Sequence, residues 1–157
     1  MKKGMFVWMM AVVFVFSSLG LALAQQAVPQ AAGQPAGPPP VVKDMVAKAK
    51  ATIKTVTPAD VKKAIDTKEK AVYLDVRDPG EFAAGHIPGA INVSRGTLEF
   101  NIFSKIPDQS AKIYVYCKTM GRSTLATKTL NDLGYKNAVL MEAQFEDWIK
   151  AGYPVER

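Results

Sequence analysis

The chain is short of the residues that build metal clusters and covalent cross-links: one cysteine, Cys117, and one histidine, His86, occur among 157 residues. A single cysteine excludes an intramolecular disulfide, and a zinc site assembled from several Cys and His is excluded with it. Charge of either sign is also modest. Twenty Lys and Arg stand against 14 Asp and Glu for a net charge of +6; without Lys2 and Lys3, in an expected leader, 18 stand against 14, or +4. That surplus is too mild to argue a nucleic-acid surface. No metal, nucleotide or flavin motif appears, so no cofactor is expected. Hydrophobic residues make up 48% and charged residues 22%, which excludes a wholly disordered, collagen-like or multi-span chain and leaves material for one packed domain.

Three compositional zones follow one another. Residues 1–24 carry Lys2 and Lys3, an unbroken apolar run from Met5 to Phe16, and Ala22-Leu23-Ala24, the pattern of a cleaved secretory signal. The alternative is a membrane anchor over residues 5–24, since Met5 to Ala24 spans 20 uncharged residues. Export to a bacterial periplasm is the expected destination, with the membrane met only through an uncleaved segment. Residues 25–42 hold Pro29, Pro35, Pro38, Pro39 and Pro40 with Gly33 and Gly37, a composition that buries little apolar surface and reads as an extended tether. From 43 to 157 the chain reads as one domain with an N-terminal helical arm at 43–54, where Val42, Met45, Val46, Ala49 and Ile53 recur at helical spacing. No apolar repeat argues for anything beyond a monomer.

Beyond the arm, short apolar runs alternate with helical patterns, which predicts an α/β fold. Thr57 caps a helix that begins Pro58-Ala59-Asp60 and buries Val61, Ala64 and Ile65. Ala71 to Val76, Ala90 to Val93, Ile113 to Tyr116 and Ala138 to Met141 are brief, nearly continuous apolar runs, as expected of parallel strands covered on both faces. Helical patterns lie near Glu81, over 96–103, over 123–133 up to Gly134, and over 144–151.

Cys117 directly follows the run Ile113 to Tyr116, and Lys118-Thr119-Met120-Gly121-Arg122 leads into a helical pattern at Ser123. This places the thiol at a strand end, where ligands bind in open α/β sheets and where the N–H groups of a loop and helix start receive anions. Lys118 and Arg122 add positive charge, so the expected state is a nucleophilic thiolate that needs no histidine base. An exposed thiolate in an oxidising compartment would be open to sulfenic acid formation. The alternative is an inert, buried small hydrophobe.

Other stretches resemble a single rhodanese domain. They are Leu74-Asp75-Val76-Arg77, Glu81-Phe82 running to Gly85-His86-Ile87-Pro88-Gly89-Ala90-Ile91-Asn92-Val93, the Cys117 to Arg122 loop, and Trp148 with Gly152-Tyr153-Pro154-Val155. The resemblance spans about residues 53–157 and implies a three-layer fold with a central, mainly parallel sheet between helices. Four residues separate Cys117 from Arg122. The family's sulfurtransferases resemble this spacing, whereas related tyrosine phosphatases and arsenate reductases use a loop one residue longer. A longer loop offers a wider ring of N–H groups to a tetrahedral oxyanion, and a shorter one fits a sulfur atom.

The resemblance implies a thiosulfate sulfurtransferase: Cys117 takes a sulfane sulfur from a small anionic donor and passes it to a thiol or cyanide acceptor. Lys118, Thr119, Met120, Gly121, Arg122 and Ser123 would form the persulfide-binding loop, with Arg122 orienting it. Two alternatives stand beside this: a catalytically weak sulfane-sulfur carrier or binding module serving a partner protein, and a phosphatase-like enzyme. The family's loop often has glycine where Met120 stands, which points to Gly121 as the conformationally permissive position here. Ala143-Gln144 stands where a Gly-Gly pair frequently precedes the last helix. Asp75 and Arg77 are expected to pair locally and pin the surrounding loops, since buried charges are costly unpaired. His86 is expected in a structural turn, and Phe145, Trp148 and Tyr153 in packing of the last helix.

Overall fold

The computed structural model describes residues 37–157. The expected leader at 1–24 and tether residues 25–36 lie outside the described residues. Among the described residues no helix is long and apolar enough to cross a membrane. The arm is helix α1, Pro40–Lys50. It starts earlier than its apolar periodicity indicates because Pro40 occupies the first turn, where its missing N–H costs nothing and its fixed φ already suits a helix.

The remaining elements are β1 (Thr55–Val56), α2 (Pro58–Asp66), β2 (Val72–Asp75), α3 (Pro79–Ala84), β3 (Ile91–Asn92), a 3-10 turn at Arg95–Thr97, α4 (Leu98–Lys105), β4 (Ile113–Tyr116), α5 (Gly121–Asp132), β5 (Ala138–Met141) and α6 (Phe145–Lys150). The five strands form one sheet in the order β1-β5-β4-β2-β3, and every pairing within it is parallel. This is the expected α/β architecture. Thr57 caps α2 as expected: its hydroxyl accepts the Asp60 N–H at 3.2 Å, and the Asp60 carboxylate accepts the Thr57 N–H at 2.9 Å. The Thr57 hydrogen bonds hold the Asp60 carboxyl below its ordinary range.

Strand alternation sorts the core into two layers. Leu74, Ile113, Val115 and Cys117 face α4 and α5 through Leu98, Ile102, Ala126 and Leu130. Tyr73, Tyr114, Tyr116, Val139 and Met141 face α2 and α6 through Val61, Ala64, Phe145 and Trp148. The connection leaving β2 leads outward to β3, and the one leaving β4 leads the opposite way to β5. Divergence of this kind opens a crevice at the carboxyl ends of the two strands, which is where Cys117 and the Asp75–Arg77 segment sit.

Asp75 and Arg77 are buried together, 0% and 4% exposed. The Arg77 Nη2 donates to Asp75 Oδ2 at 2.6 Å and to the Gly85 carbonyl at 2.7 Å, while Asp75 Oδ1 also accepts the Arg77 backbone N–H at 2.9 Å. The guanidinium lies 4.1 Å from the Phe145 ring centroid. Burial works against its charge, but Asp75 outweighs that and raises the Arg77 pKa. As expected from sequence, the pair ties strand end, turn and last helix together. Asp75→Ala strands a buried guanidinium, and a loss of about 3–5 kcal/mol is expected in urea unfolding. Removing both charges, in Asp75→Ala/Arg77→Leu, recovers part of it; a single-variant loss of only about 1 kcal/mol, as for a surface pair, refutes the assignment.

Candidate functional site

β4 delivers Cys117 to the first turn of α5. The Ser123 backbone N–H donates to the Cys117 sulfur at 3.2 Å, and the thiol is 3.2 Å from the Ser123 hydroxyl oxygen. That hydroxyl donates in turn to the Met120 carbonyl at 3.0 Å. An anion on the sulfur therefore has one backbone donor aimed at it and a hydroxyl whose proton can be redirected toward it. It also lies at the positive end of a 12-residue helix.

The sulfur is not exposed, contrary to the sequence-based expectation: Cys117 is 0% accessible. The cause is strand register, which points Ile113, Val115 and Cys117 alike beneath α5. Lys118 and Thr119 in the following loop are exposed. The Lys118 carbonyl accepts the Phe145 N–H at 3.3 Å, joining the loop to the start of α6.

Met120, and not Gly121, carries the left-handed backbone, with φ 69° and ψ −26°. Gly121 opens α5 as an ordinary helical residue, so the expected shift of the permissive position is corrected. The chain must reverse immediately before the helix for the Ser123 N–H to face the sulfur. Met120 sits at that reversal, with its carbonyl accepting the Thr124 N–H at 2.8 Å. For a residue with a Cβ this conformation costs about 1–2 kcal/mol.

Arg122 points away from a purely electrostatic part. Its guanidinium forks onto Glu81, Nη1 to Oε2 at 2.7 Å and Nη2 to Oε1 at 3.1 Å, and reaches Asp78 at 3.3 Å. Much of the positive charge expected to act on Cys117 is thus answered by two carboxylates. These ion pairs fasten the cysteine loop to α3. The Arg122 hydrogen bond holds the Glu81 carboxyl below its ordinary range, against the opposing effect of burial. Sequence reasoning missed Asp78 and Glu81 as partners of Arg122; the capping box Asp78-x-x-Glu81 marks the head of α3 but not the contact.

His86 lies in the turn after α3. Its Nδ1 is 3.0 Å from the Phe82 carbonyl, its ring stacks on Phe82, and its backbone exchanges two hydrogen bonds with Glu156. None of these bonds runs to the Cys117 loop. Tyr116, missed from sequence, links the halves of the site: its hydroxyl accepts the Ile87 N–H at 3.1 Å. Burial pushes its pKa strongly upward, keeping it a neutral phenol.

Comparison with known proteins bears on the fold rather than on individual residues. The model of the rhodanese-like domain matches residues 57–151. The chain is 37% identical over 94 residues to the chloroplastic thiosulfate sulfurtransferase 16 of Arabidopsis thaliana, covering 54% of this chain and 78% of the relative. It resembles the polysulfide-sulfur transferase homodimer of Wolinella succinogenes, with TM-score 0.64, 31% identity, and 74% and 87% of the two chains covered. A protein of unknown function from Rhodopseudomonas palustris, named a possible tyrosine phosphatase, superposes with TM-score 0.67 at 34% identity, covering 79% and 100%. Some relatives are far longer: the chain spans only 46% of a putative sulfur carrier protein of Bacillus subtilis.

Two outcomes test the loop. Met120→Gly is expected to exceed Met120→Ala in stability by about 1 kcal/mol in urea unfolding, although glycine is the more flexible residue, because only alanine retains the left-handed strain. Equal stabilities refute the strained backbone. The lowered Glu81 pKa stabilises the fold above the unfolded-state value near 4.5, and that contribution is lost as pH falls through the lower folded value. The stability gap between wild type and Arg122→Gln should therefore be widest at neutral pH and shrink on acidification below that value; a gap independent of pH contradicts the ion pair.

Proposed function

Because this chain belongs to the rhodanese-like domain family, we propose that it is a sulfurtransferase whose Cys117 carries sulfur as a persulfide. The observation that carries this reading is the Ser123 N–H and hydroxyl gathered on the Cys117 sulfur at the head of α5. In the first half-reaction the thiolate attacks the outer sulfur of thiosulfate. The new Cys117 S–S bond forms as the donor's S–S bond breaks, and sulfite leaves with the electron pair. The second half-reaction reverses the roles. An acceptor thiolate or cyanide attacks the terminal sulfur, and Cys117 leaves as thiolate.

The role of this chain's residues is to hold the anion in both halves. The Ser123 N–H faces the sulfur, the Ser123 hydroxyl turns from the Met120 carbonyl toward the charge, and the helix dipole adds about 0.3–1 kcal/mol. Arg122, clamped by Glu81, keeps the turn in register. Lys118, exposed beside the loop, draws in the anionic donor. Loop length supports sulfur over phosphate, since the four residues between Cys117 and Arg122 make a narrow ring. We place the reaction outside the cytoplasm, with residues 1–24 as the export signal; recovery of the chain in a periplasmic fraction, at the mass expected for cleavage after Ala24, tests that placement.

The decisive experiment incubates the protein with thiosulfate and then cyanide, beside Cys117→Ser. The expected result is a mass gain of one sulfur atom on the wild type alone and thiocyanate formed over many cycles. Stoichiometric loading without turnover makes the protein a carrier. Hydrolysis of an aryl phosphate that disappears in Cys117→Ser, with no sulfur loading, replaces the reading with phosphatase chemistry.

A further inference from the structure

Helix α4 leaves two phenylalanines on its outer side. Phe100 is 87% exposed, the most exposed large hydrophobic side chain among the described residues, and Phe103, one turn further on, is 43% exposed. Leu98 and Ile102 of the same helix are fully buried, so α4 has its core face without them. Phe103 leans on Tyr135, with ring centroids 5.7 Å apart, and the Tyr135 hydroxyl donates to the Ile106 carbonyl at 2.6 Å. A single exposed apolar side chain is ordinary; a neighbouring pair beside a basic cleft is the mark of a surface that meets something.

That cleft lies where α4 ends, at the amino ends of β2 and β4, and holds about 510 Å³. Lys70, Lys105 and Lys112 line it, with Ile106 and Pro107 between them. None of the three lysines has an ion-pair partner among the described residues. Asp108, the carboxylate that lines the cleft, accepts the Ser110 N–H at 2.9 Å and the Ser110 hydroxyl at 2.6 Å. Three cations therefore stand against one anion. The carboxylates nearby are engaged: Glu69 accepts the Tyr114 hydroxyl at 3.0 Å, and Glu99 pairs with Arg95 at 2.9 Å.

The two halves of this surface ask for one occupant. A small soluble anion would use the lysines and leave the phenylalanines idle, and an apolar protein face would cover the phenylalanines while stranding three charges. A two-fold contact between copies of this chain through α4 would set like charge beside like charge. We infer that the outer side of α4 and the adjoining lysine cleft form a docking surface for a bilayer rich in anionic phospholipid. The Phe100 and Phe103 rings enter the boundary between headgroups and acyl chains, and Lys70, Lys105 and Lys112 meet the lipid phosphates. Cys117 stands at the other end of β4, about 16 Å along the strand from Lys112, so a docked molecule keeps its cysteine loop turned toward water. The inference goes beyond the sulfurtransferase reading and depends neither on it nor on residues 1–24.

The test reads the added tryptophan of Phe100→Trp in the full chain, as the difference from the unsubstituted protein, with vesicles whose lipids carry brominated acyl chains. Quenching is expected to be about fivefold or more stronger with equal parts phosphatidylglycerol and phosphatidylcholine than with phosphatidylcholine alone, the scale of even one lysine at a charged surface. Adding Lys70→Gln, Lys105→Gln and Lys112→Gln should bring it down to the phosphatidylcholine level, and raising the salt concentration should weaken it. Circular dichroism checks that these variants keep the native fold. Absence of quenching, equal quenching with both lipid mixtures, or quenching indifferent to the three glutamines overturns the inference. Self-association without lipid that Phe100→Ser abolishes, seen by sedimentation equilibrium, gives this face to a second copy and overturns it as well.

Discussion

The buried ion pair of Asp75 and Arg77 is the constraint on which the site depends. Neither charge can leave the other without stranding it in the core, so the end of β2 has one available conformation. From that fixed point the contacts spread outward. The Arg77 guanidinium holds the Gly85 carbonyl and lies over Phe145; Asn92 donates to the carbonyls of both Asp75 and Arg77. The Tyr116 ring is also beside this guanidinium, one residue before the cysteine. A cysteine held in a short loop needs a rigid base, and this charge pair supplies it from the neighbouring strand.

A second fixture acts from the other side. Glu81 serves as the capping partner of α3 and as the acceptor for Arg122, so one carboxylate connects the stability of a short helix to the placement of the cysteine loop. The loop is thereby held at three places: at β4, at α3 through Arg122, and at α6 through the Phe145 N–H. With its ends so held, the chain has little room to relax the reversal at Met120.

How much of this was legible in the sequence varied with how local the causes are. Ile113 to Tyr116 and Ala138 to Met141 were placed at their observed bounds, because central strands of a parallel sheet are apolar on both faces and bounded by polar residues. Thr57 announced α2 by a side-chain cap needing only three residues of context. β1 was missed because Thr55–Val56 is too short for any periodicity; its pairing with Leu140 and Met141 defines it. The cysteine and its loop were visible as chemistry, but the loop's backbone was not. Met120 takes a left-handed conformation that its own preference opposes, imposed by the requirement that the Ser123 N–H face the sulfur. The partners of Arg122 were hidden for a similar reason: 41 residues separate it from Glu81, and no local pattern reports such a distance.

The two margins of the sheet, β1 and β3, are each only two residues long. A strand margin is a row of open backbone donors and acceptors that an unrelated chain can extend, and its hazard grows with its length. Here the longest strands lie inside, paired on both sides, and the outermost ones end before they can template an addition. Strand addition at these two margins is therefore disfavoured by geometry alone, without charged edge residues having to supply the protection.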